Sequence, residues 1–315
     1  MSLAEPAVEQ FPHPIVAYIA ATRPPFILAT VIPVILGFSY SVYQGHTLDW
    51  MMAVLSLIAA VLLHAGINVL NDYYDSLNGT DDNNDERIFP FTGGSRFIQN
   101  EVMTLQQTLM YGIGLMLAVV FIGAYLVSLT GLSLFWLGLL GIVIGWGYSA
   151  PPLRLNSRGL GELCVLAGFS LLPLGAWLVQ TGSLSLTVVL ISLPVGLLTA
   201  NLLFINQFPD RKADIQAGKL HWVARLEPGT ARWGYIVIAG MAWLVFMMLV
   251  MGGLLPVTAL VVLLPAILTF KAAAILFKHA DHPQQLTPAI QMTILAMLAH
   301  GALLSIVLVV DAYMT

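Results

Sequence analysis

A cluster of acidic and carboxamide side chains stands where the second long apolar stretch of the chain ends. Asn68, Asn71, Asp72 and Asp75 follow LSLIAAVLLHAGI at offsets of 0, 3, 4 and 7. These offsets lie on one face of a helix, so they predict a polar stripe if the helix formed by the apolar stretch continues beyond it. Asp81 follows after an Asn-Gly turn, which predicts that it lies in a loop beside the stripe.

A second cluster ends the sixth apolar stretch, in INQFPDRKADIQAGK. Asn206, Asp210 and Asp214 follow one another at four-residue steps, which again places them on one helical face. Pro209 lies just before Asp210, and the expectation is that it kinks or restarts the helix.

The spacing of the carboxylates within each cluster indicates that they are either partly protonated or held together by a cation. Like charges one helical turn apart destabilise a helix, and the cost rises next to a medium of low dielectric constant. Oxygen-only ligands favour Mg²⁺ or Ca²⁺, and Mg²⁺ characteristically joins one or two carboxylates to substrate phosphates. Two facing clusters would hold a diphosphate through metal ions, and Lys219, Arg211, Arg154 and Arg96 would bind its remaining oxygens. The alternative is a pair of solvated loops in which Asp, Asn and Gly only form turns.

The composition places these clusters in an all-α, polytopic membrane protein. Of the 315 residues, 58% are hydrophobic and only 9% are charged, whereas soluble domains carry about 25% charged residues. Apolar runs of about 20 residues recur, which is the length that a membrane-spanning helix needs. The single cysteine, Cys164, excludes an intramolecular disulfide, and the net charge of −4 gives no reason to expect nucleic acid as a partner.

Hydropathy predicts nine transmembrane helices in one integral-membrane domain over residues 1–315, with residues 1–14 as a flexible N-terminal tail. The predicted spans are 26–43, 50–70, 107–129, 131–149, 160–181, 186–206, 232–252, 255–277 and 287–311.

The nine spans place all twelve Lys and Arg residues on one side of the membrane. The positive-inside rule makes that side cytoplasmic, with the N-terminus inside and the C-terminus on the opposite side. Only Asp49 and Asp311, of the 16 acidic residues, lie on the other side. The cytoplasmic face of a cell membrane is therefore where chemistry is expected. Because the two clusters are four helices apart, the pattern also predicts two pseudo-repeated four-helix halves plus one helix.

The paired motifs resemble those of the UbiA superfamily of intramembrane aromatic prenyltransferases. The resemblance rests on NDYYD at 71–75 with a downstream Asp and on DRKADIQAGK at 210–219. It extends to TRPPFILATVIPVILG at 22–37 and GYSAPPLRLNSRGLGEL at 147–163. Within the superfamily, the pattern is closest to the 1,4-dihydroxy-2-naphthoate polyprenyltransferases of menaquinone synthesis.

This resemblance implies Mg²⁺-dependent transfer of a polyprenyl chain from its diphosphate to an aromatic acceptor. By their match to the motifs, Asp72, Asp75, Asp210 and Asp214 would be catalytic and, with Asp81, would bind the metal. The substrate-binding residues would be Arg23, Asn68, Asn71, Tyr148, Arg154, Asn206 and Lys219. The family's third Asp is replaced by Gly79, and Asn206-Gln207-Phe208-Pro209 stands where an N-N-x-R sequence is usual.

Several alternatives remain open at this point. The acceptor could instead be 4-hydroxybenzoate, a chlorophyllide, haem or a glycerol-phosphate lipid. A cation transporter would place charges in the middle of several spans, whereas here the acids gather at one face. Arg23 could be only a topology anchor below the first span, and Glu162 could either belong to the site or cap the helix that begins near it.

Overall fold

A computed structural model describes residues 5–314, which form an all-helical bundle. Its α-helices are α1 (Pro14–Ala21), α2 (Pro24–Tyr43), α3 (Trp50–Leu77), α4 (Leu105–Thr130), α5 (Leu132–Ser149), α6 (Gly161–Thr181), α7 (Leu186–Gln216), α8 (Trp222–Arg225), α9 (Pro228–Met251), α10 (Ala266–His279) and α11 (Thr287–Met314). Short 3₁₀ segments lie at Val8–Gln10, Leu155–Arg158, Val257–Leu263 and Pro283–Gln285.

Nine segments within the described residues are long and apolar enough to cross a membrane. They correspond one to one with the nine predicted spans, so the predicted all-α, multi-pass fold is confirmed. The eighth segment, Val257–His279, combines a 3₁₀ segment with α10.

Helices α3 and α7 extend well beyond the predicted ends of their spans. The prediction ended them at 70 and 206, but the helices run to Leu77 and Gln216. The hydropathy window stops where polar residues begin, whereas the backbone hydrogen bonds of the helix do not. Both acidic clusters therefore lie on helical extensions, as the stripe of Asn and Asp residues required. The expected restart at Pro209 is wrong, because α7 continues through it.

Helix α7 lies at the centre of the bundle. In its most apolar stretch 78% of the residues are buried, compared with 6% in α5. It packs against α6, α9 and α11, while α2 packs against α6 and α11, and α3 against α4.

Glycine allows two of these helix pairs to approach closely. A Cβ at Gly37 of α2 would lie 2.4 Å from the carbonyl oxygen of Pro173 in α6, and one at Gly196 of α7 would lie 2.6 Å from that of Leu166. Small residues at such contacts let helix backbones meet in a membrane, where the hydrophobic effect does not drive association.

The start of the chain contacts the loop between α3 and α4. Residues 1–4 of the predicted tail lie outside the described residues, but Glu5 Oε1 accepts a hydrogen bond from Arg87 Nε at 2.7 Å. The predicted relation between two four-helix halves stays a prediction.

Candidate active site

The C-terminal end of α3 carries the first cluster into the interior of the protein. Asp72 and Asp75 are 5% and 7% exposed, which argues against the solvated-loop alternative for these two residues. Asn68 Nδ2 donates to the carbonyl oxygen of Thr22 at 3.2 Å, and Asn71 Nδ2 donates to Ser149 Oγ at 2.7 Å. The stripe thus contacts both the start of α2 and the end of α5.

Arg23, which is partly buried, forms an ion pair with the buried Asp72. Burial alone would lower the pKa of Arg23, but the nearby carboxylates, Asp72 foremost, raise it above its ordinary value. The backbone N–H of Ser95 donates to the same Asp72 oxygen at 3.3 Å. A topology anchor would lie in solvent or among lipid headgroups, and this contact instead places Arg23 at the predicted site.

Lys219 joins the two acidic clusters. Its Nζ lies 2.7 Å from Asp75 Oδ1 and 3.7 Å from Asp214 Oδ1. Burial would lower the pKa of Lys219, but the two carboxylates raise it instead, so the ammonium stays charged. The clusters that the sequence places four helices apart therefore face one another.

Among the five acids predicted to bind metal, Asp81 has the fewest compensating contacts. It is 3% exposed, and its Oδ2 is buried without a hydrogen-bond partner. Burial raises the pKa of Asp81 well above its ordinary value, and the charges of Asp75 and Asp72 raise it further. The loop backbone lies directly against it, because a Cβ at Gly94 would be 2.3 Å from the unpaired oxygen.

The end of α7 is tied to the same loop. Asp210 Oδ1 accepts a hydrogen bond from Asn84 Nδ2 at 2.6 Å, and Asn206 Nδ2 donates to the carbonyl oxygen of Phe91 at 3.4 Å. The loop between α3 and α4 therefore packs against the second cluster as well as following the first.

These side chains form the mouth of a cavity of about 340 Å³. Asp75, Asp81, Asp210, Asp214 and Lys219 line its polar part. Its depth is lined by apolar side chains of α2, α3, α5, α6 and α7, among them Phe26, Leu63, Ile144, Phe169 and Leu202. The cavity therefore has the two-part chemistry of an amphiphile, with a charged head and an oily tail.

The other predicted residues divide into two groups. Arg23, Asn68, Asn71, Tyr148 and Asn206 line the cavity. Asp72 does not line it but pairs with Arg23, which does.

The three arginines that were expected to bind the remaining diphosphate oxygens do not line the cavity. Arg154 is exposed and lies outside the cavity lining, whereas Asn156, two residues further on, lines the cavity. Arg211 donates to the carbonyl oxygens of Val223 and Leu226, and Arg96 donates to that of Asp81.

The sequence reasoning missed three polar residues of the site. His221 Nε2 lies 2.9 Å from Asp214 Oδ2, while its Nδ1 accepts from the N–H of Ala224 at 3.1 Å. Because Nδ1 accepts, the ring proton of a neutral His221 lies on Nε2 and is donated to Asp214. Asn84 and Gln207 also line the cavity. Gln207 stands three and seven residues before Asp210 and Asp214 on α7, a helical spacing that could have identified it. His221 and Asn84 lie outside the long helices, and only the packing of loop against helix brings them in.

The arrangement fits a divalent cation that is shared with a ligand. Among residues 5–314, no group of three or more His, Cys, Asp and Glu side chains is placed to hold a metal ion by itself. The oxygen Oδ2 of Asp81 is nevertheless buried without a hydrogen-bond partner, and Asp75 lines the same cavity. Hard oxygen ligands of this kind suit Mg²⁺, which readily takes its remaining ligands from water and phosphate.

Residues 30–306 match the UbiA prenyltransferase family. This chain belongs to that family. The predicted superfamily and the prediction of a prenyltransferase are thus confirmed, and membership argues against the transporter alternative.

Two relatives of this UbiA family member have naphthoate-type or naphthoquinone-type names. A 2-carboxy-1,4-naphthoquinone phytyltransferase of Synechocystis sp. is 32% identical over 66% of this chain and 66% of its own length. A 1,4-dihydroxy-2-naphthoate octaprenyltransferase of Escherichia coli is 30% identical over 69% of this chain and 70% of its own.

A solved structure supports the fold independently. A UbiA homolog from Archaeoglobus fulgidus bound to DMAPP and Mg²⁺ aligns with a TM-score of 0.65 at 18% identity, over 92% of this chain and 99% of the homolog.

Proposed function

We propose that this protein transfers a polyprenyl chain from its diphosphate to 1,4-dihydroxy-2-naphthoate, with Mg²⁺ as the cofactor. The observation that carries the proposal is the cavity: carboxylates, the buried Lys219 and the partly buried Arg23 at its mouth, and apolar side chains in its depth. Only a substrate with a highly charged head and a long apolar tail uses both parts.

The naphthoate acceptor is supported by the relatives. Both the Synechocystis and the E. coli proteins carry names that place their acceptor in this chemical class. The Mg²⁺ requirement is supported by the donor set and by the Mg²⁺ bound to the A. fulgidus homolog. We also propose that the mouth faces the cytoplasm, with the C-terminus across the membrane, because all twelve Lys and Arg lie on that side in the predicted topology.

The metal ions would be bound by five acids and would in turn bind the diphosphate. These acids are Asp72, Asp75, Asp81, Asp210 and Asp214. When bound, Mg²⁺ supplies charge neutralisation for the leaving diphosphate. Lys219 and Arg23 add positive charge at the same mouth and stabilise the negative charge that develops there as the C–O bond breaks.

The apolar depth protects the reaction from water. Breaking the C–O bond of an allylic diphosphate leaves an allylic cation, which water would quench. The π-faces of Tyr148 and Phe169, which line the cavity, can stabilise such a cation. The acceptor ring then attacks through a carbon atom, and that carbon loses a proton or, at a carboxyl-bearing position, CO₂.

The test is a transfer assay with membranes that contain this protein, radiolabelled geranylgeranyl diphosphate, Mg²⁺ and either 1,4-dihydroxy-2-naphthoate or 4-hydroxybenzoate. We expect a prenylated naphthoquinol, recovered as the quinone after oxidation by air, that is absent with EDTA and with Asp75→Asn, but present with Asp82→Asn. Asp82 is a matched control because it is an exposed acid of the same loop.

Product with 4-hydroxybenzoate alone would keep the reaction type and overturn the acceptor. Product that persists in EDTA would overturn the metal requirement.

A further inference from the structure

One wall of the cavity carries buried hydrogen-bond acceptors without donors. Gln207 is 7% exposed and lines the cavity, and its Oε1 has no partner. The adjacent Asn206 also lines the cavity, and its Oδ1 is likewise buried and unpaired. A buried polar atom without a hydrogen-bond partner destabilises the protein, so such atoms call for an explanation.

The orientation of both amides follows from their other contacts. Gln207 Nε2 donates to Glu162 Oε1 at 2.7 Å, and Asn206 Nδ2 donates to the carbonyl oxygen of Phe91. A backbone carbonyl oxygen cannot donate, and neither can an ionised carboxylate, so each amide presents its NH₂ group to its partner and leaves its oxygen free. The oxygen atoms, which can only accept, are therefore the groups left for a ligand.

Glu162 holds Gln207 in place. It lies in the first turn of α6 and does not line the cavity. Its second oxygen, Oε2, is also buried without a partner. Its contact with Gln207 links α6 to α7 beside the site, which is more than capping α6 alone would require.

The position of this wall relative to the acidic mouth suits the second substrate. Gln207 precedes Asp210 by three residues on α7, which is about 4.5 Å along a helix axis. A ring bound against Gln207 would therefore lie next to the carbon that the diphosphate leaves.

We propose that Gln207, positioned by Glu162, and Asn206 form the subsite that recognises the hydroxyl groups of the acceptor ring. The proposal rests on the proposed function, since it assigns the acceptor of that reaction to this wall. The two amide oxygens can only accept hydrogen bonds, so they select a ligand that has O–H donors. A dihydroxylated ring has two such donors. A ring without hydroxyl groups would leave the same oxygens unpaired, which is the strongest form of discrimination between similar ligands.

The experiment measures binding rather than turnover. The purified protein in lipid nanodiscs is titrated, without oxygen, with 1,4-dihydroxy-2-naphthoate and with 2-naphthoate, which lacks both hydroxyl groups and adds no bulk. The wild-type protein is expected to bind the diol at least tenfold more tightly. In Gln207→Leu this ratio of Kd values falls about tenfold, which corresponds to about 1.4 kcal/mol, because the diol loses a hydrogen bond and 2-naphthoate no longer leaves Gln207 Oε1 unpaired.

Matched variants separate recognition from structure. Gln180→Leu makes the same chemical change at a glutamine that contacts Asp49, where α3 begins, and is expected to leave the ratio unchanged. Glu162→Ala, which frees Gln207, lowers the ratio part of the way, and Glu162→Gln restores it because its amide oxygen still accepts from Gln207. Binding of geranylgeranyl diphosphate to each variant checks that it is folded.

Each failure has its own meaning. Equal binding of the two naphthoates by the wild-type protein overturns the subsite without any variant, as does a Gln207→Leu ratio equal to that of the wild-type protein. If the protein binds the diol more tightly than 2-naphthoate but forms no prenylated product in the transfer assay, the proposed function is overturned and the subsite stands. Product without discrimination overturns the subsite alone.

Discussion

Lys219 lies 2.7 Å from Asp75, although the two residues come from the two separate acidic clusters. Its Nζ also lies within 3.7 Å of Asp214, so one buried ammonium partly neutralises a carboxylate of each cluster. Without it, these acids would repel one another in a region of low dielectric constant. The same ammonium is placed to contact the diphosphate, which couples the stability of the mouth to its chemistry.

The Lys219→Met variant should therefore lose both stability and activity. Removing one partner of a buried ion pair typically costs about 3–5 kcal/mol, so we expect a lower thermal midpoint and at least a hundredfold lower kcat/KM for the prenyl diphosphate. Lys271→Met, at an exposed lysine of α10, is the control and should match the wild-type protein. Wild-type kcat/KM in Lys219→Met would remove Lys219 from the diphosphate site.

The Arg23–Asp72 ion pair predicts compensation in stability but not in activity. Arg23→Gln leaves the buried carboxylate without its cation, and a loss of about 3 kcal/mol is expected. Adding Asp72→Asn should recover most of the thermal midpoint, because two neutral groups no longer need compensation. Transfer activity should stay low in the double variant. If the change in thermal midpoint of the double variant equals the sum of the changes in the two single variants, the pair is not coupled.

Asp81 predicts opposite effects on stability and metal dependence. Because its Oδ2 is buried without a partner and lies near two other acids, Asp81→Asn relieves repulsion in the metal-free protein. The thermal midpoint in EDTA should stay the same or rise, while the Mg²⁺ concentration for half-maximal activity rises severalfold. A fall in the midpoint in EDTA, or an unchanged Mg²⁺ requirement, would contradict this role.

Gly94 predicts an effect that depends on contact rather than on backbone strain. Its φ of +75° disfavours any other residue, and an added Cβ would meet Asp81 Oδ2 at 2.3 Å. Gly45 has a similar φ of +81° but nothing within 4 Å of the added atom. Both Gly→Ala variants should lose about 1–2 kcal/mol from the left-handed backbone.

Only Gly94→Ala should also impair transfer, because it displaces Asp81. The measurement is the thermal midpoint together with the transfer rate of each variant. Equal transfer rates in the two variants would show that the Gly94 contact has no catalytic importance.

Local sequence patterns were sufficient for the helices and for the faces they present. Hydropathy located nine spans because each must be apolar over its own length. The offsets of Asn68, Asn71, Asp72 and Asp75 defined one stripe because the helical repeat is a local property of the backbone. The family resemblance carried the reaction type, since the two motifs are contiguous in sequence.

Only the tertiary structure decided which side chains meet across the site. The contacts of Lys219 with Asp75, of Asn84 with Asp210 and of Glu162 with Gln207 join segments that lie far apart in the chain. Helical periodicity says nothing about such pairs, because they depend on how helices pack and how a long loop closes over them. For the same reason Arg154, in the stretch that resembles the family's connection after the fourth span, lies exposed outside the cavity, while Gln207, at a position where the chain departs from the family motif, lines it.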